Sequence, residues 1–295
     1  TFCYVSAANV AAVRGALPVH CQPGEVAIIA DSDRWLRFVQ ANYDALAAEG
    51  FLILHPLPSV IGTCLDKSAF LRWCAARKLP APRLFEVSMQ SLPAAGDYPL
   101  LLRPELTQHS AQFGLPKAIE VRNAAQLVEW LDRFKAAGVT PTVCQSLLTD
   151  GLRQFSVGFA RNPAGEVRTF LAEKIRPQAE RCAGGTYVKP AVQSGVEALA
   201  TAAVTELEFF GVGEVEVLFD TLAGRGYLIE VNARPWLQFG LSAACGVDLL
   251  GHVLGRPVAD VGPSGRLHAW LYFSSDLYAC FSRGNGLVRT GRVSL

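Results

Sequence analysis

The sequence predicts an α+β protein whose strands pair mainly antiparallel. Apolar residues make up 51% of the 295 residues and charged residues 18%, so the chain can bury a large core and is not disordered as a whole. In the first half, segments with helical periodicity alternate with short apolar strands. From residue 141 onward, successive strands follow one another with short turns between them, which indicates antiparallel pairing. A chain of this length is expected to form two or three structural units.

The elements expected before residue 141 begin with two short strands separated by a helix. In chain order, we expect a strand at 24–31, a helix at 32–49, a strand at 51–54, a helix from Thr63 or Asp66 to about 78, strands at 83–87, 98–103 and 117–121, and a helix at 123–137. Pro56 and Pro58 are expected to end the second strand, and Gly138 to close the last helix.

The second half of the chain is expected to be richer in strands. In order, we expect strands at 142–148, 153–161 and 166–175, a helix at 196–210, strands at 213–220 and 227–231, helices ending at 244 and beginning at 248, and a strand at 266–274. The turn Asn162-Pro163-Ala164-Gly165 joins the second and third of these strands.

Charge and cysteine usage exclude several classes of partner and site. Lys and Arg (27) nearly balance Asp and Glu (26), and the net charge of +1 gives no reason to expect nucleic acid or an anionic membrane as a partner. No stretch reaches the roughly 18 consecutive apolar residues that a membrane span needs. The eight cysteines form no CxxC pair and the five histidines no HxxxH pair, so we expect no thiolate zinc site. We predict reduced cysteines and a cytoplasmic protein.

Four polar residues near the ends of two adjacent predicted strands suggest a metal and phosphate site. Because alternate side chains of a strand share a face, Glu230 and Asn232 point the same way, and the short loop can bring Glu216 opposite Glu230. Carboxylate and amide oxygens suit Mg²⁺, which keeps waters and substrate phosphates in its shell. Arg234 could bind the same phosphates. A solvated hairpin would explain Glu216 alone, but it explains the whole group poorly.

The segment around these residues resembles a signature of the ATP-grasp superfamily. Leu228-Ile229-Glu230-Val231-Asn232-Ala233-Arg234 is similar to its "liEiNpR" motif, and most of all to the branch with carbamoyl-phosphate synthetase and other carboxylate–amine ligases. Four further pieces with weaker resemblance occur in the family's order, at 65–82, 98–104, 143–148 and 174–186. The resemblance extends over roughly residues 25–275.

The resemblance implies the ATP-grasp fold, in which two α/β subdomains with antiparallel sheets clamp ATP. On this basis residues 63–140 form the first subdomain, and residues 141–295 form the second together with a C-terminal extension. Residues 1–62 match only part of the pre-ATP-grasp domain that usually precedes them. We therefore expect a short and truncated α/β region there.

The resemblance also implies a site for ATP and Mg²⁺ or Mn²⁺. Lys67 and Arg103 match the cations that hold the phosphates, and Arg103 keeps a planar fork for phosphate binding. Arg103 and Arg234 are the implied catalytic cations. The other implied nucleotide contacts are Lys117, Gln145, Ser146, Leu148, Gln154 and Lys174. Among these, Gln145 and the backbone of Ser146 and Leu148 would contact adenine, and Gln154 would contact the ribose. The implied metal ligands are Glu216, Glu230 and Asn232. Gln145 and Gln154 are departures, because the family usually has Glu at both positions.

The implied reaction is the ATP-dependent activation of a carboxylate as an acyl phosphate, which an amine then attacks. The substrates would be a small carboxylate and a small amine, with no nucleic-acid or membrane partner and with a dimer as one possible oligomeric state. The alternative is a degenerate ATP-grasp module that binds nucleotide to regulate a partner. The loop 107–116 favours that alternative because it carries one glycine where the family has a Gly-rich lid. A nicotinamide-dependent oxidoreductase is disfavoured because the chain has no GxGxxG motif.

Overall fold

The structure, a computed structural model, describes residues 9–17, 21–106, 109, 112–147, 151–177, 185–256 and 268–283. Its α-helices are α1 (Val10–Gly15), α2 (Asp33–Ala41), α3 (Tyr43–Ala48), α4 (Pro58–Leu65), α5 (Lys67–Ala76), α6 (Ala124–Ala136), α7 (Ser194–Glu206), α8 (Phe239–Ala244), α9 (Leu249–Val253) and α10 (Phe273–Arg283). Its strands are β1 (Ala27–Ile28), β2 (Leu52–Ile53), β3 (Leu100–Pro104), β4 (Ile119–Val121), β5 (Pro141–Gln145), β6 (Leu152–Arg161), β7 (Val167–Pro177), β8 (Gly185–Pro190), β9 (Gly211–Asp220), β10 (Arg225–Asn232) and β11 (Trp270–Leu271).

These strands form three sheets. The largest has six strands in the order β10-β9-β6-β7-β8-β11, and every neighbouring pair in it is antiparallel. A second antiparallel sheet has the order β4-β3-β5, and β1 and β2 form a small parallel pair. The predicted α+β class with antiparallel sheets is confirmed.

The largest hydrophobic core joins the N-terminal helices to the six-stranded sheet. Leu36 of α2, Ile61 of α4 and Phe70 of α5 are buried in one cluster with Val215 and Val217 of β9. The N-terminal helices therefore share their core with the sheet that carries the candidate site. The division of the chain at residues 62 and 140, and the truncation of the first region, stay predictions.

The three-stranded sheet has a core of its own. Leu100 and Leu102 of β3 and Val121 of β4 pack against Leu127 and Phe134 of α6, and all five side chains are fully buried. This helix was predicted within one residue at each end, because its capping signals are strong. The Asn123 side chain accepts a hydrogen bond from the backbone of the first turn, and Gly138 adopts φ 66° after its last turn.

Several local predictions were wrong for identifiable reasons. The helix expected at 32–49 is two helices, interrupted at Asn42, whose side chain donates to the carbonyl of Phe38. The helix expected to begin at Thr63 or Asp66 is preceded by α4, which begins at Pro58, because proline is tolerated in the first turn of a helix. In the region expected as a strand at 266–274, only Trp270–Leu271 is a strand and α10 begins at Phe273, while 266–267 lie outside the described residues.

For the start of α5 the sequence left two candidate caps, Thr63 and Asp66. Asp66, not Thr63, caps α5, since its carboxylate accepts a hydrogen bond of 2.8 Å from the backbone N–H of Ala69. The segment 83–87 is not a strand, although Leu84 forms an isolated bridge with Cys144 of β5. Within the described part of the chain, every helix is too short or too polar to cross a lipid bilayer.

Candidate active site

One face of the six-stranded sheet is apolar at one end and polar at the other. Because alternate side chains of a strand share a face, Phe155 and Val157 of β6 point into the largest core. On the opposite face of β6, Ala160 belongs to a second apolar cluster, whereas Gln154 and Ser156 lie further toward the start of the strand. The polar end of this face holds most of the residues that the sequence singled out.

Two cross-strand pairs of acid and amide side chains lie at this polar end. Glu216 of β9 is the register partner of Glu230 of β10, as the sequence predicted. The next pair along the same face is Glu214 and Asn232, and the Asn232 amide nitrogen donates to Glu214 Oε2 at 2.9 Å. The four side chains therefore form a compact square of three carboxylates and one amide.

Lys174 of β7 reaches across the sheet to this square. Its Nζ lies 2.5 Å from Glu216 Oε1 and 3.5 Å from Glu214 Oε1, and the side chain is buried. Burial alone would lower the pKa of Lys174, but the charges of Glu214 and Glu216 outweigh it and raise that pKa. The ammonium group is therefore charged at neutral pH. Gln154 Nε2 donates to the other oxygen of Glu216 at 2.9 Å.

Burial and the neighbouring carboxylates both disfavour the charged form of Glu216. Its pKa is raised, because burial and the nearby charges of Glu214 and Glu230 outweigh the attraction of Lys174. A cation close to Glu216 therefore stabilises its ionised form.

Arg103 of β3 connects the two antiparallel sheets. Its Nη2 lies 3.1 Å from Glu230 Oε2, and the two side chains are only 16% and 20% exposed. Burial raises the pKa of Glu230, but Arg103, Lys67 and Lys174 outweigh it and lower that pKa to about 2. Lys67, in the first turn of α5, is buried, and this burial lowers its pKa despite the nearby charge of Glu230. Three carboxylates and three cations are therefore gathered at one place.

Arg234 lies at the edge of this group. Its Nε donates to Asp33 Oδ1 at 2.7 Å, which attaches the loop after β10 to the start of α2. Asp33, Lys67, Glu230 and Asn232 line one small pocket. The Asp33–Arg234 pair therefore borders the space next to Glu230.

The buried His55 side chain holds the same loop in place through two hydrogen bonds. His55 Nε2 accepts from the backbone N–H of Ala30 at 2.6 Å, so Nδ1 carries the proton and donates to the carbonyl of Ala233 at 3.0 Å. Burial lowers the pKa of His55 to about 4, more than the Ala233 hydrogen bond raises it. Trp236 completes the anchoring, because its ring occupies the space beside Gly158.

The remaining predicted nucleotide contacts lie near β4 and β5 in the sequence. Among them, Lys117 and Gln145 are exposed. The Ser146 hydroxyl donates to Glu120 at 3.0 Å and its N–H to the carbonyl of Pro99 at 3.1 Å, so both of these donors are engaged within the protein. Leu148 lies outside the described residues.

The predicted metal ligands are close together but already have partners. Among the described residues, no three His, Cys, Asp or Glu side chains are arranged to hold a metal ion. The physical reason is visible in the contacts, since Glu216 binds Lys174 and Gln154 while Glu230 binds Arg103. The donor set of carboxylate and amide oxygens fits Mg²⁺ chemically, and the metal assignment stays a prediction.

Sequence reasoning missed four residues of the site. These are Asp33, His55, Ser156 and Glu214. Glu214 had a usable signal, because it is two residues from Glu216 in a strand and must share its face. The other three are recognisable only from contacts with residues far away in the sequence.

Comparison with known proteins shows similarity in structure only. No protein-family model matches the sequence, and no curated protein matches it significantly. Biotin carboxylase from Campylobacter jejuni superposes with a TM-score of 0.65 at 17% identity, over 85% of this chain and 57% of that one.

Two further solved structures show the same similarity. An L-amino acid ligase from Bacillus licheniformis gives a TM-score of 0.58 at 17% identity, over 76% of this chain and 53% of that one. N5-carboxyaminoimidazole ribonucleotide synthetase from Thermotoga maritima gives 0.56 at 17% identity, over 81% and 60%. The chain thus spans less than two thirds of each structure. All three are ATP-grasp proteins, so the resemblance found in the motifs is confirmed at the level of the fold.

Proposed function

We propose that this chain, an ATP-grasp protein by its fold, is an ATP- and Mg²⁺-dependent ligase that activates a carboxylate as an acyl phosphate for attack by an amine. The observation that carries the proposal is the set of three cations, Lys67, Arg103 and Lys174, around the paired carboxylates Glu216 and Glu230. One similar solved structure contains MgADP and bicarbonate, and another contains an ATP analogue.

The charge arrangement suits phosphoryl transfer. The transferred phosphoryl group spreads negative charge over its oxygens, so catalysis depends on positioning and on charge stabilisation. Arg103 can bind phosphate oxygens through its planar fork, and the compact ammonium groups of Lys67 and Lys174 can neutralise the remaining charge. Glu216, Glu230 and Asn232 would hold Mg²⁺, which when bound neutralises phosphate charge.

Nucleotide binding in this scheme exchanges one set of ion pairs for another. In the described structure Glu230 neutralises Arg103 and Glu216 neutralises Lys174. With nucleotide and Mg²⁺ bound, Arg103 and Lys174 would pair with phosphate oxygens, and Glu230 and Glu216 would hold the metal. Each buried charge then keeps a partner throughout, which a low-dielectric site requires.

The same contacts favour a carboxylate acceptor over an alcohol. A kinase directs an aspartate at the substrate hydroxyl to accept its proton. Here Glu216, Glu230 and Asp33 are each held by a cation. A carboxylate acceptor is ionised at neutral pH and needs no such base.

Hydroxylamine trapping tests the proposal directly, because it captures acyl phosphates as hydroxamates. We expect the protein, given ATP, Mg²⁺ and a panel of amino and hydroxy acids, to produce a hydroxamate with at least one of them. Glu230→Gln should give none. Glu197→Gln is the matched control, because Glu197 of α7 accepts a hydrogen bond from Thr169 on the opposite face of the sheet.

Two results would contradict the proposal in different ways. ATP consumption with a stable phosphate ester and no hydroxamate would indicate a kinase. Nucleotide binding without consumption across the whole panel would favour the regulatory module instead.

A further inference from the structure

We infer that Glu214 is a positioning residue, which serves as the counter-charge that keeps Lys174 in the site when Glu216 turns to the metal of the bound nucleotide. The inference rests on the proposed function and goes beyond it, because neither the motif resemblance nor the predicted ligand set includes Glu214.

Glu214 is held from both sides. Its Oε1 accepts from the hydroxyl of Ser156, and its Oε2 accepts from the Asn232 amide at 2.9 Å. It lies on β9 between these two partners, which belong to β6 and β10, and it is only 3% exposed. Both oxygens of Glu214 are in use, as are both oxygens of Glu216, so the two carboxylates differ in their position in the sheet and not in the number of their hydrogen bonds.

Burying the carboxylate of Glu214 costs free energy that an apolar residue on the same face of β9 does not cost. Val212, on the same face of β9, is apolar and fully buried. A buried carboxylate is tolerated only if donors and a counter-charge satisfy it. At Glu214 the donors are Ser156 and Asn232, and the counter-charge is Lys174.

Lys174 has two carboxylates within reach, and they are not equivalent. Glu216 is the nearer at 2.5 Å, and Glu214 lies at 3.5 Å from the same nitrogen. Glu216 is also opposite Glu230, so it is the one that a metal bound between β9 and β10 would recruit. Glu214 then remains as the only carboxylate of this pair that can neutralise the buried ammonium group.

This division of roles predicts that the charge of Glu214 matters more for nucleotide binding when a metal is present. Without metal, Glu216 holds Lys174 and Glu214 is a second partner. With metal, Lys174 depends on Glu214 as its carboxylate partner. Loss of the Glu214 charge would then allow the ammonium group of Lys174 to move away from the phosphates.

The test measures the affinity of a non-hydrolysable ATP analogue by calorimetry, once in EDTA and once in Mg²⁺. Relative to the wild-type protein, we expect Glu214→Gln to change the affinity less in EDTA than in Mg²⁺. In Mg²⁺ its gain in affinity should be about tenfold smaller than that of the wild-type protein. The control Glu197→Gln removes a carboxylate from the opposite face and should match the wild-type protein in both conditions.

A double-mutant cycle separates a charge effect from a packing effect. If Glu214 acts through Lys174, then Lys174→Met and the combined Glu214→Gln/Lys174→Met variant should lose the same part of the metal-dependent gain. If Glu214→Gln alone is unstable, the comparison of the combined variant with Lys174→Met still tests the inference, because a further loss in the combined variant would show that Glu214 acts independently of Lys174.

The outcomes separate this inference from the proposed function. Equal losses in EDTA and in Mg²⁺ would show a structural role for Glu214 and overturn the inference, as would a Glu214→Gln variant identical to the wild-type protein in Mg²⁺. Additive losses in the cycle would also overturn it. A wild-type protein that binds no nucleotide in either condition would instead overturn the proposed function itself.

Discussion

The two antiparallel sheets contribute to the candidate site in different ways. The six-stranded sheet supplies side chains that are buried and bound to one another, such as Lys174 between Glu214 and Glu216. The three-stranded sheet supplies side chains at strand ends, among which Gln145 is exposed and Arg103 reaches across to Glu230. From this difference we predict that the proposed phosphate end of the site is organised before the nucleotide binds, whereas the proposed adenine end is ordered by the nucleotide.

The largest effect is expected at Glu230, in the six-stranded sheet. Glu230→Gln should lower ATP turnover at least about a thousandfold, because it removes the carboxylate that opposes two cations and contributes to the metal shell. Steady-state ATP consumption measures this, and circular dichroism should show an unchanged fold. An active Glu230→Gln protein would contradict the role given to the six-stranded sheet.

A smaller effect is expected where the two sheets meet. Arg103→Lys keeps the positive charge but loses the planar fork, so nucleotide affinity should fall about tenfold while turnover at saturation persists. Calorimetry with ATP analogue measures the affinity, and Arg133→Lys is a control on an exposed helix pair. If Arg103→Lys abolished turnover at saturating ATP, Arg103 would be as essential to turnover as the buried site residues of the six-stranded sheet.

The anchoring of the loop after β10 predicts a pH dependence of stability. The pKa of His55 is lowered to about 4 in the folded protein, and an unfolded histidine titrates near 6.5. The unfolded chain therefore binds the extra proton first, so stability is complete above about pH 6.5 and is lost as the pH falls toward 4.

The melting temperature should consequently drop by roughly 5 °C or more across that window. In His55→Gln the drop should be clearly smaller, because no group at position 55 titrates there. Thermal unfolding at several pH values measures both proteins. Equal slopes for the two would show that other groups cause the dependence.

The smallest effect is expected at the exposed adenine end. Gln145→Ala should lower nucleotide affinity only about threefold, because an exposed side chain loses one hydrogen bond that competes with water. The same calorimetric assay measures it. A loss as large as that of Arg103→Lys would mean that the adenine end is more ordered than its exposure suggests.

The sequence predicted what depends on local pattern. The alternation along β9 and β10 predicted both strands and brought Glu216 opposite Glu230, and Asp66 was one of two expected caps for α5. The residues that it missed depend on contacts across the chain. His55 binds backbone groups that are 25 and 178 residues away, and no local pattern distinguishes it from a loop histidine beside prolines.

The order of strands that are distant in the sequence explains why the role of Glu214 was missed. The role inferred for Glu214 depends on Lys174, which lies two strands away and whose side chain crosses β6 to reach it. A pair of glutamates in one strand does not show which of them has a lysine for a neighbour. That information appears only when the order β9-β6-β7 is known.

The close packing of Gly158 against Trp236 limits which residues can occupy position 158. A Cβ atom at Gly158 would lie 1.9 Å from Cη2 of Trp236, so even alanine cannot be introduced while the tryptophan keeps its place. The indole ring and the missing side chain of Gly158 therefore share one volume. Any substitution that enlarges residue 158 would need a smaller residue at position 236 at the same time.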